Sequence, residues 1–320
     1  MKGRPSQSLF ARRWRKFKSL RRGYLAFHIL VWSYLVSWLL PFLVNGEALA
    51  VRDGTGRWSF PAFTFREERA SDFGQGHDGA PNYRALKDIF ELSGSGRVIL
   101  PPYPFSPREL LVNLDEEEAA NPGAPRLQSL AGSPPHRPSM HHWCGTDIAG
   151  RDVFARLCWG YRISISFALL VVLVEYLIGV TVGAILGYFG GKVDILGQRL
   201  LEILSAVPFL YLIMIISRVY TPRDETTAFF ILVGIMCLLG WIGMTFYIRG
   251  EYYREKSKDY VAAAVAQGEG HLSLIFRQIL PNTLTPVITF APFAVVGAIG
   301  SLVSLDFLGF GLPVGTPSWG

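Results

Sequence analysis

"DYVAAAVAQGEGHLSLIFRQILPN", residues 259–282, lies between two strongly apolar stretches and follows Arg249, Arg254, Lys256 and Lys258. Ala262, Ala263, Ala264 and Ala266 favour helix, and Gly268 and Gly270 interrupt it. Leu272, Ile275, Phe276 and Ile279 then restart an apolar face before the Leu280-Pro281 break. The spacing predicts two short helices joined at a glycine turn. Small side chains on the first helix let another surface come close to its backbone, and the charged flank offers polar rim contacts. An ordinary interfacial helix of good propensity fits the same residues. Where the segment sits decides between the two.

Half of the 320 residues are hydrophobic, only 18% are charged, and the mean hydropathy is positive. That balance points to a membrane protein. The net charge of +6 does not indicate nucleic acid, because the excess gathers at the N-terminus and in short segments beside apolar runs. Cysteines at 144, 158 and 237 form no CxxC and are too scattered for a disulfide framework.

A hydrocarbon core of roughly 30 Å needs about 20 apolar residues per helix. Five windows qualify: Tyr24 to Val44, Ile165 to Phe189, Ile203 to Tyr220, Thr227 to Ile248 and Leu284 to Leu305. Pro208 and Pro292 fall inside two of them, where they kink a helix. Lys2, Arg4, Arg12, Arg13, Arg15, Lys16, Lys18, Arg21 and Arg22 precede the first window, and the first acid is Glu47. The positive-inside rule therefore places segment 1–23 in the cytoplasm, with 24–44 as an uncleaved transmembrane helix. Alternation puts 45–162 outside, 190–199 inside, 221–226 outside and 249–283 inside. Arg218 and Arg223 near the outer face depart mildly from the rule, while the acidic run Glu116-Glu117-Glu118 sits comfortably in the outer loop. Five spans leave the C-terminus outside, so a sixth helix is expected beyond Gly320.

In "HHWCGTDIAGRDVFARLCWGYRISISFALL", residues 141–170, Gly145 and Gly150 permit a tight turn and Asp147 can cap a helix. Arg151, Arg156 and Arg162 recur at helical spacing, which predicts an interfacial amphipathic helix ending the 45–162 loop. His136, His141, His142, Cys144 and Asp147 match no closed zinc spacing, so turn and cap roles are expected and no metal site. Gly179, Gly183 and Gly187 make a face for close helix approach. Glu175, ionisable at membrane depth, is either a pathway candidate or a paired structural residue.

Three motifs in order carry a family resemblance. Ala262-Ala263-Ala264, three residues, Gly268, then Leu280-Pro281 after an eleven-residue gap resembles the EAA loop of bacterial ABC-importer permeases. "GTDIAGRDVFARL" contains Gly145, Thr146, Asp147, Gly150, Arg151 and Asp152. It resembles the segment before the second helix in the C-type permease of dipeptide and oligopeptide importers. "LDFLGFGLPVGTPSWG", with Leu308 and Gly309, resembles that family's segment after the fifth helix. The departures are Ala262 for the usual acid, Leu302-Val303 for Glu-Ala, Asp306 for Ser, and Cys144 for Leu. The enlarged outer loop is most like a branch whose importer takes up oligopeptides and the peptide antibiotic microcin C.

The resemblance implies an all-α membrane protein of the type I ABC-importer permease fold. Residues 163–320 would form the permease core, with Ala262, Ala263, Ala264, Gly268, Leu280 and Pro281 in the ATPase-coupling loop 249–283. It implies a multi-pass subunit of the bacterial inner membrane. The expected partners are a second homologous permease, an ATP-binding subunit, a periplasmic solute-binding protein and a peptide substrate. The chain contains no G-x-x-x-x-G-K-[ST], so ATP and Mg are expected on the partner ATPase, with no cofactor and no catalytic residue here. Nickel, another metal chelate or another small solute is an alternative cargo. A membrane-anchored periplasmic receptor or enzyme is the rival class, but it would leave the 249–283 loop without a purpose.

The outer segment 45–140 is rich in Pro, Gly, Ser and aromatics. "RWSFPAFTF" predicts one or two short strands, and "NYRALKDIFEL" a helix with Leu86, Ile89, Phe90 and Leu92 on one face. "NPGAPRLQSLAGSPPHRPS" predicts extended linker. A small subdomain that meets a solute-binding protein or a partner permease, or a plain spacer, fits that composition.

Overall fold

The computed structural model describes residues 9–64, 68–73, 75, 79–110, 134–219, 224–313 and 315–320. The acidic run at 116–118, most of the expected linker, Phe65 and Arg223 lie outside the described residues. Two compact units emerge, Met1–Arg162 and Ile163–Gly320.

In the first unit, α1 (Leu9–Ser19) and α2 (Arg21–Ser37) are followed by a single turn, α3 (Leu40–Leu43). The expected 24–44 helix is thus broken after Ser37. Pro41 is the reason, since it has no N–H to give the Ser37 carbonyl and its ring crowds the preceding turn. At 1.5 Å per residue α2 is about 25 Å long, and the α3 turn carries the apolar run on to Val44.

A three-stranded antiparallel sheet comes next, ordered β2-β1-β3, with β1 Ala50–Arg52, β2 Trp58–Ser59 and β3 Arg97–Ile99. The β1–β2 turn is tied by Asp53, whose Oδ1 accepts from Thr55 N at 2.9 Å, Thr55 Oγ1 at 2.7 Å and Arg57 N at 2.8 Å. "RWSFPAFTF" gives only the two residues of β2. Pro61 then opens a helical turn, α4 (Pro61–Thr64), as proline does at a first helical position.

Helix α5 (Tyr83–Ser93) covers the sheet. Asn82 Oδ1 accepts from Ala85 N at its start, and Tyr83, Leu86 and Phe90 pack with Ala48, Val51 and Val98. Leu92 does not share this face and is 77% exposed. At 100° per residue it lies nearly opposite Tyr83 and Phe90.

The second expected window belongs to α6 (Val153–Phe189), a single helix of 37 residues. Among the described residues no separate interfacial helix precedes it; Arg156 and Arg162 lie on its first turns. After Gly190, whose positive φ reverses the chain, come α7 (Gly191–Ser205) and α8 (Phe209–Val219). They meet at a 66° bend where Pro208 interrupts the third window. Helices α9 (Glu225–Leu239) and α10 (Trp241–Lys256) meet at 42° around Gly240 in the fourth window. Next are α11 (Asp259–Ala266), α12 (residues 271–283) and α13 (Thr285–Phe307), which keeps Pro292 within it.

Among the described residues, α6 and α13 are long and apolar enough to cross a membrane. The count rises to four if each bent pair is one span. Three cores hold the second unit, of which the smallest, Leu186, Leu201 and Ile242, joins α6, α7 and α10. Phe167, Val171, Ile213, Leu232, Met236, Ala298 and Leu302 join α6, α8, α9 and α13. Ala184, Ile248, Tyr252, Val261, Leu274, Ile275 and Ile279 join α6, α10, α11 and α12.

Candidate functional site

The glycine row on α6 sets the platform. A Cβ on Gly179 would lie 2.7 Å from the Trp241 carbonyl, one on Gly183 2.6 Å from that of Thr245, and one on Gly187 2.8 Å from that of Arg249. Each glycine therefore seats one turn of α10 at backbone contact distance. The end of that seam is clamped by Asp194 of α7, buried, against Arg249: Nη2 donates to Oδ2 at 2.6 Å and Nε donates to Oδ1. The Tyr253 ring lies under the guanidinium, 5.0 Å away. The Lys256 ammonium donates to the Tyr188 carbonyl, closing the C-terminal end of α6.

On this platform stands α11. Val261 and Ala264 face inward and are buried, while Ala262, Ala263, Val265, Ala266 and Gln267 are exposed. Four alanines thus split between two jobs. Ala264 seats the helix against Leu274 and its neighbours, and Ala262 and Ala263 lie on an open face of small side chains.

The helix ends in a Schellman turn. Gly268 N donates to Val265 O at 3.0 Å and Glu269 N to Ala264 O at 3.2 Å, with Gly268 at φ +80°. This left-handed conformation strongly favours glycine at that point of the motif.

The return helix α12 is braced in three places. Tyr252 Oη donates to the Ile275 carbonyl at 2.9 Å. Tyr188 Oη lies 2.7 Å from His271 Nδ1. Glu269 accepts from Gln278 Nε2 at 2.8 Å and from Ser273 Oγ at 3.2 Å. Its middle, Leu274–Ile279, is π-helical, immediately before Leu280-Pro281. The wider turn makes room for Pro281, which can neither donate to nor closely approach the preceding turn. Leu280 is half-buried and Pro281 exposed.

Glu255, 3% exposed, holds the start of α11. It accepts from Lys258 Nζ at 2.6 Å and Tyr260 Oη at 3.2 Å, and Asn282 Nδ2 donates to that same hydroxyl at 3.3 Å. Sequence reading missed the Asp194–Arg249 clamp, whose partners lie 55 residues apart and leave no periodic signal, and Glu255, whose partners are near in sequence but whose burial is set by the fold.

Glu175 projects from α6 onto Gly240, at the bend between α9 and α10. A Cβ on Gly240 would collide with its carboxylate. The carboxylate fills the notch that the glycine leaves.

Helix α13 closes as α11 does. Gly309 N donates to Asp306 O and Phe310 N to Leu305 O, with Leu308 half-exposed before them. Asp306 also ties down Leu312 and Ser318, accepting from Leu312 N at 2.7 Å and Ser318 Oγ at 2.6 Å.

In the first unit, the "GTDIAGRD" residues make a self-tied loop. Asp147 Oδ1 accepts from Ala149 N and Arg151 N, both at 2.9 Å, and its Oδ2 from Arg151 Nε at 2.8 Å. Burial alone would push the Asp147 carboxyl up. The Arg151 amide and guanidinium outweigh it and hold the group below the usual carboxylate range.

Asp147 N also donates to Arg151 O, Val153 N to Gly145 O, and Thr146 bridges Asp152 across the loop. Asp152 Oδ1 caps α6 through Ala155 N at 2.7 Å. Its Oδ2 lies 2.7 Å from both Tyr103 Oη and His142 Nδ1. His142 and Asp147 are therefore engaged within the loop. Among the described residues no group of three or more His, Cys, Asp or Glu is disposed around a common metal position.

Residues 179–320 match the family described as binding-protein-dependent transport system inner membrane component. Over 97% of its length the chain is 36% identical to the peptidoglycan transport system permease protein YejE of Agrobacterium fabrum, covering 81% of that protein. It is 37% identical to the inner membrane ABC transporter permease protein YejE of Escherichia coli, over 96% of this chain and 83% of that one. The dipeptide transport system permease protein DppC of Bacillus subtilis is 34% identical, over 57% of this chain and 56% of its own length.

Proposed function

This chain belongs to the family of binding-protein-dependent transport system inner membrane components, and from that membership we propose that it is a permease subunit of an ATP-driven importer of oligopeptides. It is a multi-pass inner-membrane transport subunit and not an enzyme. In this reading the basic N-terminus and the 249–283 loop face the cytoplasm. A second, homologous permease completes the pathway, and a periplasmic solute-binding protein delivers the peptide. ATP and Mg are held by the partner ATPase.

The observation that carries the reading is α11. It is a short helix with an open small-residue face, pinned from behind by Val261, Ala264, Tyr252 and Glu255, so displacement of the face is passed to α10 and α12. Closure of the ATPase pair moves α11, and the spans exchange between outward-open and inward-open states.

The test is Ala263→Arg, which places a bulky charge on the open face without disturbing the packed one. Membrane insertion is expected to be unchanged while ATPase co-purification and peptide uptake fall together, by roughly tenfold or more. Undiminished uptake with intact ATPase binding would sink the proposal.

Cargo is tested in a strain lacking only this chain. Its complementation should restore uptake of labelled oligopeptides. Separate assays with peptidoglycan-derived peptides, microcin C and a nickel chelate define the range; restoration of the chelate alone would replace peptide as the cargo.

A further inference from the structure

Over residues 58–63 the chain turns Pro61 and Ala62 in and its large rings out. Ala62 is 1% exposed and Pro61 is buried, whereas Trp58, Phe60 and Phe63 are 51%, 46% and 55% exposed. A subdomain facing only water would place these rings inside, as it does Tyr83 and Phe90 of α5.

The exposed rings are not scattered. Phe63 stacks on Phe42 at 4.6 Å between centroids, and Phe60 lies 6.4 Å from Phe63 and 6.4 Å from Trp58. Phe42 belongs to the α3 turn that closes the apolar 24–44 run, so the ladder grows directly from the end of that run. At the far end the Arg52 guanidinium lies 6.0 Å from the Trp58 ring, and the exposed Arg57 precedes it in sequence. The same unit repeats the chemistry beside the end of α2, where Arg162 lies 5.7 Å from the Trp38 ring and 4.4 Å from the Trp159 ring.

Aromatic rings with cations at their outer edge, continuous with the apolar 24–44 run, have the composition of a bilayer interface, where rings sit at headgroup level and guanidinium groups reach lipid phosphates. We propose that Trp58, Phe60 and Phe63 are a membrane-interface anchor that rests the β1–β2 edge of the outer subdomain on the lipid surface. A partner protein covering these rings is the competing occupant. The continuity with Phe42 and the flanking arginines favour lipid, because a protein interface would not require the ladder to begin at the end of the apolar run. The inference rests on residues 24–44 lying in the membrane.

The experiment uses the full chain in nanodiscs of phosphatidylethanolamine and phosphatidylglycerol with brominated acyl chains. The emission of each tryptophan is isolated as the difference between wild type and Trp58→Phe, Trp32→Phe or Trp143→Phe. Trp32, exposed on α2, reports membrane placement, and Trp143, exposed in the loop, reports water. The Trp58 component is expected to fall by roughly twofold or more in brominated lipid and to resist aqueous iodide. Moving the reporter with Phe60→Trp in the Trp58→Phe background should restore the quenchable emission, which guards against a folding defect in one variant. Iodide quenching of Trp58 while Trp32 is quenched by lipid would overturn the anchor and leave the membrane placement standing. Shielding of Trp58 from both quenchers would overturn it, because the ring would then be covered by protein of this chain or of a second copy. Failure of lipid to quench Trp32 would instead remove the membrane placement on which the inference rests.

Discussion

Asp152 illustrates how much one residue can hold. Its carboxylate caps α6 and receives both Tyr103 and His142, while it is itself 1% exposed. Asp152→Ala removes the cap and leaves a buried hydroxyl and imidazole unpaired. It should cost about 3 kcal/mol, seen as a lower Tm of the purified chain.

Asp147 makes a pH-dependent contribution. Its folded pKa lies below its ordinary value, so the stabilisation is fully present above about pH 4 and is lost as pH falls through the lower folded value. The Tm difference between wild type and Asp147→Asn should therefore be present at neutral pH and vanish in acid. A difference that persists to the lowest pH would show that the Arg151 contacts do not depend on charge. The motif made these residues conspicuous as turn and cap formers, but the convergence of Tyr103 and His142 on Asp152 requires the fold.

At the scale of elements, the seam between α6 and α10 and the bend at Gly240 are linked through Glu175. Gly240→Ala forces its methyl onto the Glu175 carboxylate and should impair folding and uptake. Glu175→Ala in the same chain removes the obstruction. The double variant is expected to recover expression relative to Gly240→Ala alone; additive losses would mean that the two positions do not share the notch.

The turn after α11 gives a second prediction. Gly268→Val places a β-branched residue at φ +80°, which should cost about 2 kcal/mol or break the Schellman turn, and should lower ATPase co-purification more than Gly270→Val. The alanine run was legible as helix, and Gly268 as its end. That Ala264 faces the core while Ala262 and Ala263 face out depended on which side of α11 meets Leu274 and Ile275.

At the scale of the whole molecule, the proposed orientation gives a sidedness that labelling can read. Cys144 is exposed, Cys158 half-buried and Cys237 buried. An impermeant maleimide added to intact spheroplasts should modify Cys144, while a cysteine replacing Ala262 should react only after permeabilisation. Reaction at both positions from the same side would overturn the proposed orientation. The five apolar windows all carry helix, yet their divisions differ from a count of residues. Pro41 and Pro208 end helices, Pro292 does not, and the expected interfacial helix is simply the beginning of α6.

Taken alone, the sequence determined the class of molecule, because hydrocarbon thickness demands long uncharged runs and these are countable. It also determined the end of α11, since a glycine at the left-handed position is a local requirement. The tertiary structure decided what depends on two distant segments meeting: the Asp194–Arg249 clamp, the Glu175 carboxylate in the Gly240 notch, and the outward turn of Trp58, Phe60 and Phe63. Periodicity identifies that a residue is apolar or charged and which neighbours share its face. Only packing settles whether that face meets protein, lipid or water.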